Sequence, residues 1–129
     1  MQWLMLQQDK PVDYVIATGE QYSVKQFVQW TCELLGIEID FLGSGLQEVG
    51  VVTNVSGELV ARELIGKEII KIDPNYFRPA EVETLLGDPS KAKNELGWQP
   101  EYTAFDTCKE MVASDLDDAM SELKLSFGQ

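Results

Sequence analysis

A chain of 129 residues with 44% apolar and 25% charged residues has the composition of a water-soluble globular domain, not of a disordered tail or a fibre, and a chain of this length can bury about two-thirds of its unfolded surface. Twenty-two acidic residues against ten basic ones give a net charge of -12, a field that repels phosphate-rich polymers and argues against nucleic acid as a partner. The sequence contains no histidine, which removes the commonest general base and the usual transition-metal ligand, and with them hydrolase triads and zinc sites.

The same field opposes any anionic nucleotide, so a diphosphate site here has to rest on a locally placed Arg or on backbone N–H groups. No charged and then apolar leader is visible, and no apolar run approaches the roughly 18 residues that span a bilayer. A cytoplasmic location without membrane contact is therefore expected. Cys32 and Cys108 lie on the apolar sides of two predicted helices, which predicts buried thiols.

In chain order, Met1 to Gln8 reads as a helix without a capping residue before it, carrying Trp3, Leu4 and Leu6. Tyr14 to Thr18 is β-favouring on both alternating faces and closes at Gly19, the pattern of a strand buried on both sides. Ser23 with Gln26 three residues later has capping-box spacing, and Val24, Phe27, Val28, Thr31, Leu34 and Leu35 recur at helical intervals up to Gly36. Ile37, Ile39 and Phe41 alternate with Glu38 and Asp40, predicting a half-buried strand, and Val49 to Val55 predicts another.

Ser56 to Lys67 has no clean period and reads as a loop or short helix. A strand on Ile69, Ile70 and Ile72 follows, ended by the turn residues Asp73-Pro74-Asn75. Asp88-Pro89-Ser90 starts a helix that Gly97 closes, and Thr103 with Asp106 starts a last helix with the apolar stripe Phe105, Cys108, Val112, Leu116, Ala119 and Leu123, fraying after Leu125. The order of these elements predicts a mixed α/β (α+β) fold.

Three motifs carry little chemistry. Asp115, Asp118 and Glu122 share one helix face and read as solvated charges. Gly43-Ser44-Gly45 follows a strand, but Glu48 stands where the last Gly of a dinucleotide fingerprint belongs. Asn54-Val55-Ser56 matches a glycosylation acceptor in a chain with no other sign of secretion.

The informative stretch is Asp73 to Lys93. Arg78 sits at a strand exit beside Pro79, where a guanidinium fork can grip two phosphate oxygens. Glu81 follows three residues later, and its carboxylate can accept two hydroxyl hydrogen bonds, as a ribose diol offers. On chemistry alone an Arg78 to Glu81 surface ion pair, worth at most about 1 kcal/mol, is the reading the residues favour.

The elements Arg78-Pro79-Ala80-Glu81, Ser90-Lys91-Ala92 and Leu96-Gly97-Trp98 resemble the Arg-Pro-x-acid and Ser-Lys-Ala to Leu-Gly-Trp pattern of the extended short-chain dehydrogenase/reductases. Within them, Ala17 to Val24, Asp73 to Pro79 and Thr84 to Pro89 resemble the GDP-mannose 4,6-dehydratase family. The similarity runs through the whole chain and is weakest between Gly43 and Lys67. One departure is Asn75, where many members carry a basic residue.

The resemblance implies a C-terminal substrate-binding domain over residues 20–129. Residues 1–19 would be a remnant helix and strand of a Rossmann half. It implies that Arg78 holds the diphosphate and Glu81 the ribose of GDP-mannose or GDP, weakly in this chain alone. In such enzymes the Rossmann half carries NADP and a catalytic Tyr and Lys four residues apart. Here Tyr14, Tyr22, Tyr76 and Tyr102 are followed at that spacing by Thr18, Gln26, Ala80 and Asp106, so that machinery is not in this chain. The expected partners are the missing Rossmann half and a second copy meeting the apolar N-terminal helix and strand. Two other readings stay open: a portion of a different sugar-nucleotide epimerase or dehydratase, and a free-standing interaction module.

Overall fold

The computed structural model describes all residues except 57–59, 61, 79, 81, 83, 128 and 129. The described elements are α1 (Gln2–Leu6), α2 (Val24–Leu34), β1 (Ile37–Leu42), β2 (Val49–Val55), β3 (Glu68–Lys71), α3 (Ser90–Leu96) and α4 (Ala104–Phe127), with short 3₁₀ turns at Gly45–Gln47 and Arg62–Leu64. The chain divides into two compact units, one made of Met1–Tyr22 and Val82–Ala104, the other of Ser23–Glu81 and Phe105–Gln129.

The second unit is built on an antiparallel sheet of order β1-β2-β3. The expected alternation fixes its register, with Ile37 opposite Val55 and Phe41 opposite Gly50. Gly50 is buried because its neighbours leave no room: a Cβ there would stand 2.7 Å from the Ile39 Cδ1 and 3.0 Å from the Ile70 Cβ. Ser23 caps α2 as its spacing predicts, its hydroxyl accepting the Gln26 N–H at 3.1 Å. One side of α2 then sends Cys32 into a core with Ile37, Val52 and Val55, with Val28 and Leu35 packed against it.

The neighbouring side of the same helix meets α4. The Trp30 and Phe105 rings pack edge to face with centroids 5.5 Å apart, and Thr31 Oγ1 lies 3.5 Å from the Cys108 Sγ. Both thiols are free and buried, as the helix pattern predicts, and burial raises the Cys32 pKa above the ordinary thiol value. The α4 helix runs from Ala104 to Phe127.

In the first unit the expected α1 forms without a side-chain cap, but Tyr14 to Thr18 is not a strand. A strand exists only through a hydrogen-bonded ladder, and among the described residues no ladder reaches this segment. Side chains hold it instead. Lys91 Nζ donates to the Asp13 carbonyl at 3.0 Å and lies 5.0 Å from the centroid of the Tyr14 ring, while the Tyr14 hydroxyl donates to Glu95 Oε2 at 3.0 Å. Gly87 makes the close approach possible, since a Cβ on it would stand 2.7 Å from the Ala17 Cβ.

The α3 helix ends at Gly97 as its signal predicts, but it starts at Ser90 with Pro89, not Asp88, at the cap position. The Asp88 carboxylate accepts the Ser90 N–H at 2.9 Å, and Gly97 ends the helix in the left-handed conformation at φ 63° that a residue without Cβ adopts at no steric cost.

Candidate functional site

The site of interest begins where β3 stops at Lys71. Asp73 folds the chain back through its own side chain: Oδ1 accepts the Asn75 N–H at 2.8 Å and the Asn75 amide at 3.0 Å. The Asp73 carbonyl accepts the Tyr76 N–H at 3.1 Å, closing the turn. This is the turn that Asp-Pro-Asn predicts, an Asx side chain imitating the backbone. Its consequence is to deliver Tyr76, Phe77 and Arg78 in succession to one surface.

These three residues line a groove of about 720 Å³, whose other walls are Val24, Ile72 and Asp73, the last with its carboxylate already engaged by Asn75. Tyr76 and Val24 are each 83% exposed and Phe77 is 46% exposed, so the groove offers bare aromatic and aliphatic surface beside a guanidinium. Among the described residues no carboxylate pairs with Arg78. Glu81 lies outside the described residues, so neither its expected part in the site nor the alternative Arg78 to Glu81 pair has a geometry here.

Val24 is the first residue of α2, and the Ser23 hydroxyl takes up only the Gln26 N–H. The N–H groups of the first turn therefore point out at this end of the helix, where the partial positive charge of the helix is concentrated. Val24 lines this groove, although its helical spacing predicts a core position. The signal was available in the Ser23 cap, which makes Val24 an end position where an apolar side chain finds no core.

A second, smaller recess of about 290 Å³ shares Val24 and Ile72 with the Arg78 groove, and Lys25, Phe41 and Glu48 contribute to its lining. Lys25 Nζ forms an ion pair with Glu48 Oε1 and lies 4.9 Å from the centroid of the Phe41 ring. Glu48 thus has a partner of its own. Gly43-Ser44-Gly45 leads into a 3₁₀ turn and not a phosphate-cradling α-helix, so this chain's residues there do not fit a dinucleotide.

The other motifs stay plain. Asn54 donates to Glu38 Oε1 at 3.0 Å across the β1 and β2 strands. Asp115, Asp118 and Glu122 are exposed on α4. A groove of about 550 Å³ beside α2 and β1 is bordered by Glu33 and Glu38, whose charges disfavour an anion. Among the described residues no helix is long and apolar enough to cross a membrane.

A groove that combines exposed aromatic rings, an aliphatic wall and a guanidinium is the kind of site that takes a phosphorylated, ring-bearing small molecule. The sequence comparisons narrow this class. The family model described as GDP-mannose 4,6 dehydratase matches residues 1–111, and the chain belongs to that family.

Among curated relatives, the GDP-mannose 4,6-dehydratase of Vibrio cholerae is 57% identical over 98% of this chain and 34% of its own length. That of Yersinia enterocolitica serotype O:8 is 55% identical over 92% of this chain and 32% of its own length. The GDP-mannose 4,6 dehydratase 2 of Caenorhabditis elegans is 46% identical over 88% and 27%. The chain therefore spans about a third of the length of the curated relatives it matches most fully.

Proposed function

We propose that this chain is the substrate-holding portion of a GDP-mannose 4,6-dehydratase, gripping the nucleotide of GDP-mannose while the rest of such an enzyme performs the chemistry. The observation that carries the reading is Arg78, with no carboxylate partner among the described residues, beside Tyr76 and Phe77 in one groove. In a molecule of net charge -12 a diphosphate needs a fixed local cation, and a guanidinium fork offers two parallel donors to two phosphate oxygens. Glu81, three residues beyond Arg78, is assigned to the ribose hydroxyls as an acceptor.

In domain terms, residues 20–129 form the substrate domain of an extended short-chain dehydrogenase. Residues 1–19 belong with the NADP-binding half, operating in the cytoplasm. That half would supply the Tyr and Lys that this chain lacks at the required spacing, and with NADP bound it would oxidise C4, allow loss of water across C5 and C6, and return hydride to C6. This chain's own residues bind and orient the substrate.

Trp3 and Leu6 on α1, 68% and 81% exposed, and Val15, 53% exposed, mark the face that such a half, or a second copy in its absence, would cover. Light scattering on the isolated chain should detect association, and a monodisperse monomer would remove the second-copy reading.

Calorimetry with GDP tests the central assignment. The parent chain should bind GDP weakly and less well as salt rises. Arg78→Ala should lose about tenfold or more, the effect of removing a charge-assisted pair. Equal affinities would end the claim for Arg78.

A further inference from the structure

We propose that the free edge of β1 and the groove beside it form a docking site for an extended, basic segment of a partner protein, which joins the sheet as a fourth strand. No residue lines both this groove and the one at Arg78, so the docking site stands apart from the nucleotide reading. The sheet order β1-β2-β3 places β2 on one side of β1 and, among the described residues, no strand on the other. Alternate N–H and C=O groups along that side have no ladder partner, which makes an edge strand a template for another chain.

The strand itself is regular enough to pair. Between Glu38 and Ile39 the register passes from Asn54 to Val52, so the extra residue of the bulge, Thr53, belongs to β2. β1 keeps its alternation over six residues, a length of about 20 Å. A groove of about 550 Å³ lies between this strand and α2, with Gln26, Gln29 and Glu33 from one face of the helix and Ile37, Glu38 and Ile39 from the strand along its walls. A peptide added to a sheet edge gains affinity from main-chain hydrogen bonds and specificity from pockets for its alternate side chains, and here the groove supplies such a pocket.

Charge selects the occupant. No Lys or Arg lines the groove, and among the described residues Glu33 and Glu38 form no ion pair. Glu38 accepts from Asn54 through Oε1 alone, which leaves Oε2 available. Glu38 and Asp40 stand two residues apart on the exposed face of β1, so a strand laid alongside sets alternate side chains opposite them, about 5 Å away. Lys or Arg at those places makes attractive cross-strand pairs. A second copy of β1 would instead set carboxylates against carboxylates, which is destabilising. The net charge of -12 draws a basic segment in and holds another acidic copy off.

The test is an amide-resolved NMR titration of the 129-residue chain with the end-capped hexapeptide Lys-Val-Lys-Val-Lys-Val, against Lys-Lys-Lys-Val-Val-Val of the same composition and the acidic Glu-Val-Glu-Val-Glu-Val. The alternating basic peptide should shift the amides of residues 37–42 and bind about tenfold tighter than the block peptide, and the acidic one should not bind. Methylating the backbone nitrogens of the lysines in one version and of the valines in another blocks one side of the peptide at a time. One version should lose about tenfold or more, and the other should bind as before. The double variant Glu38→Gln, Asp40→Asn should weaken the basic peptide about fivefold and flatten its salt dependence.

Shifts confined to the acidic face of α4, with residues 37–42 unmoved, would overturn the inference, and so would equal affinity for the alternating and block peptides. Two methylated forms that both bind like the parent peptide would show that no main-chain ladder forms and would overturn it as well. Self-association of the chain through residues 37–42 without peptide would make a second copy the occupant and end the claim for a basic partner. The peptide series on the parent chain decides the matter even where the double variant fails to fold.

Discussion

The two compact units are held together by different physics. In the unit of Ser23–Glu81 and Phe105–Gln129, Cys32, Ile37, Val52 and Val55 form a shared apolar core under α2, and Cys108 is fully buried. In the unit of Met1–Tyr22 and Val82–Ala104, Ala92 is buried, but Trp3, Leu6, Val15 and Leu85 are more than half exposed, and the segment 13–17 is held by Lys91, Glu95 and the close pass at Gly87. Apolar burial is cooperative and insensitive to pH, whereas exposed hydrogen bonds and ion–ring contacts are individually small and screened. The comparison teaches that the groove beside Arg78 stands on the unit with its own core, while the other unit leaves Trp3 and Leu6 largely exposed.

The sharpest way to break the contrast is to remove the same two methyl groups from each side. Val52→Ala, at a position only 1% exposed, should cost roughly 2–3 kcal/mol by urea unfolding, transfer and cavity terms together. Val15→Ala, at a position 53% exposed, should cost about 0.5 kcal/mol or less. Equal losses would mean that the first unit has a core of its own strength.

A smaller effect is expected at Gly87. Its Ala variant sets a methyl 2.7 Å from the Ala17 Cβ, and neither atom can rotate away, so the segments must part at a cost of roughly 1–2 kcal/mol. Amide exchange should quicken in residues 13–17 and in α3 while β2 stays protected. Loss of protection in β2 would show that the units do not respond separately.

The smallest effect is with acid. Hydrogen bonds from the Ser90 hydroxyl and then the Ser90 N–H hold the Asp88 carboxyl below its ordinary value of 3.8 against the opposing effect of desolvation, with Lys93 adding the least. Because the folded value is the lower one, this stabilisation is complete above the ordinary value and is lost as pH falls through the folded one. The start of α3 should fray in that acid window while the β2 amides hold. An Asp88→Asn variant with an unchanged acid profile would contradict the assignment.

Most of the core-bearing unit was legible because its signals are local. The Ser23 cap, the alternation of β1 and the valine-rich stretch of β2 each specify their element from neighbouring residues, and the Asp73 turn formed with the side-chain geometry its chemistry predicts. The segment Tyr14 to Thr18 was misread as a strand because residue preference says nothing of whether a ladder partner is present. Arg78 was legible as a cation at a strand exit. Its neighbours Val24 and Ile72 were not, since they come from elements far apart in sequence and read as core by period alone. The Lys25–Glu48 pair was invisible for the same reason, with twenty-three residues separating its members.

Two arginines occur in the chain, Arg78 in the groove and Arg62 in the 3₁₀ turn Arg62–Leu64, so their side-chain Nε–H signals can be told apart with one substitution. Titration with GDP should move the Arg78 signal along a saturable curve and leave Arg62 where it is, as a phosphate-bound fork requires. An Arg78 signal that stays fixed while GDP binds elsewhere on the chain would contradict the account at its centre.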